Sequence, residues 1–195
     1  MKRLWILVLS SLAALSFSPA AMAATATAVF AGGCFWSMEY DFEKLPGVLA
    51  AESGYAGGTV ANPTYEQVSR GNTGHAEAVK VSYDTARLSY AQVLDYYWHH
   101  IDPTVKDQQF CDKGNEYRTV IFYGDDEQKK AAFASRDALL KTGKFKHIHT
   151  EIIPAAPFYK AEAYHQDYAR KNPVHYHAYR TGCGRDRRIA DVWGK

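Results

Sequence analysis

The sequence predicts an α+β fold: a ferredoxin-like split βαβ core with a mixed or antiparallel sheet, followed by an irregular C-terminal extension. Two observations carry this. Runs of strand character and runs of helical period follow one another in the order β-α-β, β-α-β, and residues 24–195 of the 195-residue chain show no internal repeat, charge block or low-complexity tract, which fits a single domain of ordinary size. Beyond Pro173 the hydrophobic pattern has no clean period.

The elements follow in order. A short apolar strand over 27–31 leads into a helix over 35–45 that stops at Pro46-Gly47. A strand over 48–55 enters a glycine-rich loop over 53–63; residues 64–69 form a helical turn, and Gly71-Asn72-Thr73-Gly74 is a turn signal. A strand over 77–83 precedes a helix over 89–100 whose apolar residues Tyr90, Val93, Leu94, Tyr97 and Trp98 recur at helical spacing. A loop over 102–116 leads to a strand over 117–123, then a helix over 126–141, a strand over 147–153 and a helix over 159–171. The tail over 173–195, which carries Cys183, reads as an irregular or mobile strap.

Residues 1–23 are expected to lie outside this fold. Lys2-Arg3 is a basic n-region, residues 4–15 are an apolar core and Ala21-Met22-Ala23 is a small-residue cleavage signal, so the chain is expected to be exported, cleaved after Ala23 and retained in a periplasm. No later stretch approaches the ~20 apolar residues a spanning helix needs, and a lipid anchor on Cys34 is disfavoured because that cysteine follows a strand signal, so no membrane association is expected. The chain holds 23 Lys and Arg against 21 Asp and Glu; loss of Lys2 and Arg3 makes the two equal, which does not suit nucleic acid as a partner. A monomer is the default.

Three cysteines, Cys34, Cys111 and Cys183, are an odd number for an oxidising compartment and suggest thiol chemistry. The His147/His149 and His175/His177 pairs lack a cysteine or carboxylate at ligand spacing, so no metal is expected. Gly33-Cys34-Phe35-Trp36 sets a thiol at a strand-to-helix junction, where free N–H groups and the helix dipole favour the thiolate, and Gly32 and Gly33 allow a sharp turn and close substrate approach. The plainer reading is a buried packing cysteine.

In the strand over 77–83, Glu77 shares a face with Val79, Val81 and Tyr83, so a carboxyl group lies on an apolar face. Desolvation there would keep it protonated and fit it for general-acid work; the alternative is a strand-end glutamate that reaches solvent or an arginine. Tyr65 and Tyr117 are candidate hydroxyl donors, and Asp112 lies in the loop before Tyr117. With 14 tyrosines and 4 tryptophans in the chain, an aromatic-lined, partly polar pocket is expected.

The strings GCFW (33–36), GYAGG (54–58), NPTYEQV (62–68), GHAEAV (74–79), DKGNEYR (112–118), IFY (121–123) and AEAYHQDY (161–168) occur in order over most of residues 24–195. Together they resemble the peptide methionine sulfoxide reductase A family, which reduces the S epimer of methionine sulfoxide. The resemblance implies that Cys34 is the nucleophile, that Phe35 and Trp36 hold the sulfoxide methyl group, that Glu77 protonates the sulfoxide oxygen, and that Tyr65 and Tyr117 hydrogen-bond it. Asp112 would share the pocket, with His165 and Tyr168 along its far side. It further implies no bound cofactor, oxidised proteins and peptides as substrates, free methionine sulfoxide besides, and a thioredoxin-like dithiol as external reductant and protein partner.

The chain departs from the family pattern after Lys171-Asn172-Pro173, where recycling cysteines are expected in a glycine-rich tail; here only Cys183 follows. Glycines around it favour Cys183 swinging in as the resolving cysteine, with Cys111, beside Asp112, as the rival, a relay or a pocket-wall thiol. Two other readings stay open: a cysteine-based thiol peroxidase, which leaves Glu77 without a task, and a non-catalytic secreted peptide-binding domain, which predicts a stable Cys34 disulfide.

Overall fold

The computed structural model describes residues 24–194; the expected signal segment 1–23 and its cleavage point lie outside the described residues. Strand β1 (Thr25–Gly32), helix α1 (Phe35–Phe42), β2 (Val48–Ala56), a short α2 (Tyr65–Ser69), β3 (Ala76–Asp84) and α3 (Tyr90–Trp98) come first. The two-residue strands β4 (Gln108–Gln109) and β5 (Asp112–Lys113) and a 3-10 turn over Asn115–Tyr117 precede β6 (Thr119–Tyr123) and α4 (Asp126–Lys141). Strands β7 (Glu151–Pro154) and β8 (Tyr159–Lys160) and helices α5 (Tyr168–Lys171), α6 (Pro173–Gly182) and α7 (Arg185–Trp193) complete the chain.

One sheet has the order β7-β6-β1-β3-β2-β8. Its inner strands, β6-β1-β3-β2, are antiparallel throughout and connected as the split βαβ pattern requires; β7 joins β6 in parallel, so the sheet is mixed. Strand alternation divides the core. Phe30, Tyr55, Val79, Val81 and Ile121 turn one face toward Phe35, Met38 and Phe42 of α1 and Val93, Leu94 and Tyr97 of α3, while Ala31, Ala56, Ala78, Val120 and Phe122 form a thinner second layer. Capping boxes, Thr64 with Gln67 and Ser89 with Gln92, start α2 and α3.

Four expectations need correction. Residues 159–171 are not one helix: Tyr159 pairs with Tyr55 on β2, and the Gln166 side chain accepts from Ser53 N–H at 3.1 Å and donates to Ser53 O at 2.8 Å, holding a strand followed by a turn over 163–167 in place of a continuous helix. Asp167, at φ 56°, then turns the chain into α5. The tail is not an irregular strap but two packed helices, with Pro173 in the first turn of α6 and Gly184, at φ 69°, turning the chain into α7. Tyr176 and Arg185 are buried, and Arg180 meets Asp41 of α1 at 3.0 Å; these long-range contacts fasten the two helices to the rest of the domain. Tyr117 ends the 3-10 turn rather than opening a strand, and the strand expected over 147–153 is confined to β7.

Candidate active site

Cys34 is the N-cap of α1, and Gly33 before it takes φ 82° to make the corner. A Cβ at Gly33 would lie 2.6 Å from Gln109 Cβ, and one at Gly32 would lie 2.7 Å from Met38 Sδ. The glycines are thus required by close packing beneath the junction, not by substrate approach. Glu77 arrives from β3 on the face shared with Val79 and Val81, 3% exposed, and its Oε2 accepts the Phe35 backbone N–H at 2.9 Å, which ties the carboxyl group to the residue next to Cys34.

A cavity of about 110 Å³ holds Cys34, Phe35 and Trp36 from the α1 corner, Glu77 from β3, Tyr65 from α2, Asp112 from β5, Tyr117 from the 3-10 turn and Tyr179 from α6. Burial pushes the Glu77 carboxyl up to about 8, with Asp112 and Glu116 adding repulsion against the favourable Phe35 N–H. The Cys34 thiol is driven well above its ordinary value by burial and then by Glu77, outweighing the hydrogen bond from Tyr179. The thiolate expected from the helix end is therefore not the resting form: desolvation is stronger than the dipole. Burial also raises Tyr65, up to about 12, and Tyr117, so both hydroxyls stay protonated donors.

Of the residues singled out from sequence, Cys34, Phe35, Trp36, Glu77, Tyr65, Tyr117 and Asp112 share this cavity. His165 and Tyr168 do not line it. They brace Trp36: its indole N–H donates to His165 Nδ1 at 3.0 Å, and the Tyr168 ring stacks on it at 3.7 Å. Cys183 does not face Cys34 either. It is disulfide-bonded to Cys111 at the tip of the β4–β5 hairpin, with Cα atoms 4.9 Å apart, and Cys34 is the free cysteine among the described residues. The two sulfurs and Asp112 lie within 4.8 Å, but a metal could use them only with the disulfide open.

Residues not singled out from the sequence complete the site. Tyr179 donates to Asp112 Oδ2 at 2.5 Å and also hydrogen-bonds Cys34. Glu162 accepts the Tyr65 backbone N–H at 2.9 Å and the Tyr55 hydroxyl at 2.8 Å, fixing the start of α2. His75 accepts the Gly58 N–H at 3.0 Å, and a Cβ on Gly58 would sit 2.4 Å from His75 N, which explains why GYAGG and GHAEAV occur as a pair. A helical reading of the tail would have put Tyr179 one turn before Cys183 and so exposed it as a candidate.

A family model described as "Peptide methionine sulfoxide reductase" matches residues 26–195. The chain is 50% identical over 198 residues to "Peptide methionine sulfoxide reductase MsrA 2" of Caulobacter vibrioides, covering 100% of both chains. It is 49% identical over 169 residues to "Peptide methionine sulfoxide reductase MsrA" of Bacillus licheniformis, covering 86% of this chain and 93% of that one. Among solved structures, the reduced form of Mxr1 from Saccharomyces cerevisiae superposes with TM-score 0.71 at 32% identity over 81% of this chain and 90% of that one. Methionine sulfoxide reductase A of Corynebacterium diphtheriae gives 0.70 at 32% identity over 80% and 77%.

Proposed function

The chain belongs to the peptide methionine sulfoxide reductase A family, and on that premise we propose that it reduces the S epimer of methionine sulfoxide, in proteins, peptides and the free amino acid, as a repair step for oxidised proteins outside the cytoplasm. The observation that carries this reading is Glu77: a carboxyl group kept protonated by burial, held by the Phe35 N–H in the same cavity as the Cys34 thiol.

A sulfoxide sulfur is a poor electrophile until its oxygen is protonated or strongly hydrogen-bonded. With the oxygen among Glu77, Tyr65 and Tyr117 and the methyl group against Phe35 and Trp36, the carboxyl proton moves to oxygen as the Cys34 sulfur attacks. Tyr179 has one hydroxyl proton and two acceptors, Asp112 and Cys34, so it can turn to the sulfur as negative charge gathers there. Methionine departs, Cys34 is left as a sulfenic acid, and the proton the Cys34 thiol gave up on attack returns to the Glu77 carboxylate, restoring the acid. Oxygen donors on one side and aromatic rings on the other give the three sulfur substituents a single hand, which is what favours one epimer.

A thiol of the Cys111/Cys183 pair then condenses with the sulfenic acid, releasing water and forming a disulfide to Cys34. Exchange within the trio frees Cys34 and leaves Cys111–Cys183, the pairing present in the structure, for a thioredoxin-like dithiol to reduce. Cys183 and Cys111 thus both act in recycling. The basic n-region, apolar core and small-residue cleavage signal of residues 1–23 support export to a periplasm. The free state of Cys34 speaks against a binding domain cross-linked through that residue.

The test is an assay of each sulfoxide epimer separately with a dithiol present. Turnover of the S epimer, abolished in Cys34→Ala, is expected; turnover of the R epimer alone, or of neither, rejects the proposal. Peroxide turnover without sulfoxide turnover would favour a thiol peroxidase.

A further inference from the structure

The two sulfurs of the Cys111–Cys183 disulfide sit in unequal surroundings, and we propose that an external thiol attacks Cys111 and expels Cys183 as the leaving thiolate. This deepens the recycling step above and rests on it. In thiol–disulfide exchange the charge of the transition state gathers on the two outer sulfurs, and the sulfur that better carries charge leaves. Attack at Cys111 puts that charge on Cys183; attack at Cys183 puts it on Cys111.

Two features favour charge on Cys183. Its Sγ accepts the Cys111 backbone N–H at 3.2 Å. It ends α6 as C-cap and immediately precedes Gly184, the N-cap of the nine-residue α7, so the two helix ends beside it oppose one another and decide nothing. The Arg187 guanidinium lies over Gly184, 3.1 Å from where a Cβ would be, and with Cys183 it lines a solvated cavity of about 410 Å³. Asp102 and Asp191 also line that cavity, but Asp102 is matched by Arg188 at 2.7 Å, while Arg187 has no ion pair within 4 Å among the described residues.

At Cys111, Asp112 Oδ1 lies 3.7 Å from Sγ, so negative charge on this sulfur faces a carboxyl group; that group is also within 4.8 Å of Cys183, but among the described residues no guanidinium or backbone N–H offsets it at Cys111 in the way Arg187 and the Cys111 N–H do at Cys183. Cys111 is also the more accessible of the two: it is exposed at the hairpin tip, and Cys183 is half-buried.

The balance is complete. The donor thiolate bonds to Cys111 Sγ, the Cys111–Cys183 bond breaks, and its electron pair leaves on Cys183. The donor's second thiol, deprotonated, then attacks the donor sulfur of the mixed disulfide and releases Cys111, which takes up a proton. The donor is oxidised to its disulfide, and the protein disulfide is reduced to two thiols.

The experiment treats oxidised Cys34→Ser protein with reduced glutathione, quenches rapidly with acid, alkylates the liberated thiol and maps both by peptide mass spectrometry. Glutathione is expected on Cys111 and alkylation on Cys183, by about tenfold over the reverse, with Arg187→Glu lowering that ratio at least about threefold. Equal labelling, a majority of glutathione on Cys183, a disulfide that glutathione does not open, or an unchanged ratio in Arg187→Glu each overturns the proposal. Neither sulfoxide nor Cys34 takes part, so failure here leaves the assigned reduction standing, and failure of the epimer assay leaves this result standing.

Discussion

Glu77 shows how one side chain can be costly to the fold and necessary to the site. Burial penalises its ionised form and pushes its carboxyl up to about 8, so near neutral pH it keeps the proton that the proposed reduction calls for. Glu77→Gln keeps the size and the acceptor for the Phe35 N–H but removes the transferable proton; kcat/KM is expected to fall by about 10²- to 10⁴-fold. The wild-type pH profile of kcat/KM should decline as pH rises through about 8, because the free enzyme then loses the required proton. A wild-type rate flat from pH 6 to about 10 would remove Glu77 as the acid. Cys34 gives the converse lesson: its position at a helix start reads as an activated thiol, yet burial and Glu77 raise it, so the thiol is protonated until the reaction draws the proton away.

The C-terminal helices are held by buried arginines together with a short apolar face, Tyr176 of α6 and Ile189 and Val192 of α7. Arg185, 2% exposed, donates to Gly32 O at 3.3 Å and His100 O at 2.8 Å and lies over the Phe110 ring at 4.5 Å, so the start of α7 is tied both to the strand before Cys34 and to the hairpin that carries Cys111. Arg185→Met should cost about 3 kcal/mol, because it leaves buried carbonyl groups unsatisfied and Asp41 with a single guanidinium. Denaturant unfolding reads the loss, and amide exchange should show α7 opening first; an unchanged midpoint would contradict the anchoring role. In α7 Arg185, Ile189 and Val192 recur at helical spacing and are buried, but a buried arginine at the head of that stripe hides it from a count of apolar residues alone. The expected helix over 159–171 fails for a related reason: pairing with β2 and the Gln166 bridge to Ser53 override local propensity.

The whole molecule carries more than one carboxyl group whose proton the fold retains. Glu39, buried and bonded to Ser53 and Asp167, is pushed up to about 7 by burial, and Glu77 to about 8. Unfolding returns both to ordinary carboxyl values near 4.5, where the unfolded chain releases protons that the native chain keeps. Between about pH 4.5 and 8 the native state therefore binds more protons, and these two groups make stability fall as pH rises, by up to a few kcal/mol in sum. Thermal midpoints measured across that range should show the decline, with a shallower slope in Glu77→Gln. An equal slope in the two proteins would contradict the linkage.

The order of the inner strands and of the helices between them was legible because each inner strand alternates and each early helix keeps its period, patterns that follow from burying one face of an element; the short β4–β5 hairpin inside the expected loop was not. The motif strings likewise pointed to Cys34, Glu77, Tyr65, Tyr117, Phe35 and Trp36, which share one cavity. Contacts between distant segments decided the rest. The Cys111–Cys183 pairing, the bracing of Trp36 by His165 and Tyr168, and the entry of Tyr179 depend on where the tail packs, and that is set by buried ion pairs spanning more than a hundred residues, such as Asp41 with Arg180 and Arg185. A linear pattern reports how one element meets a generic apolar interior; which charge finds which partner exists only once the chain has closed on itself.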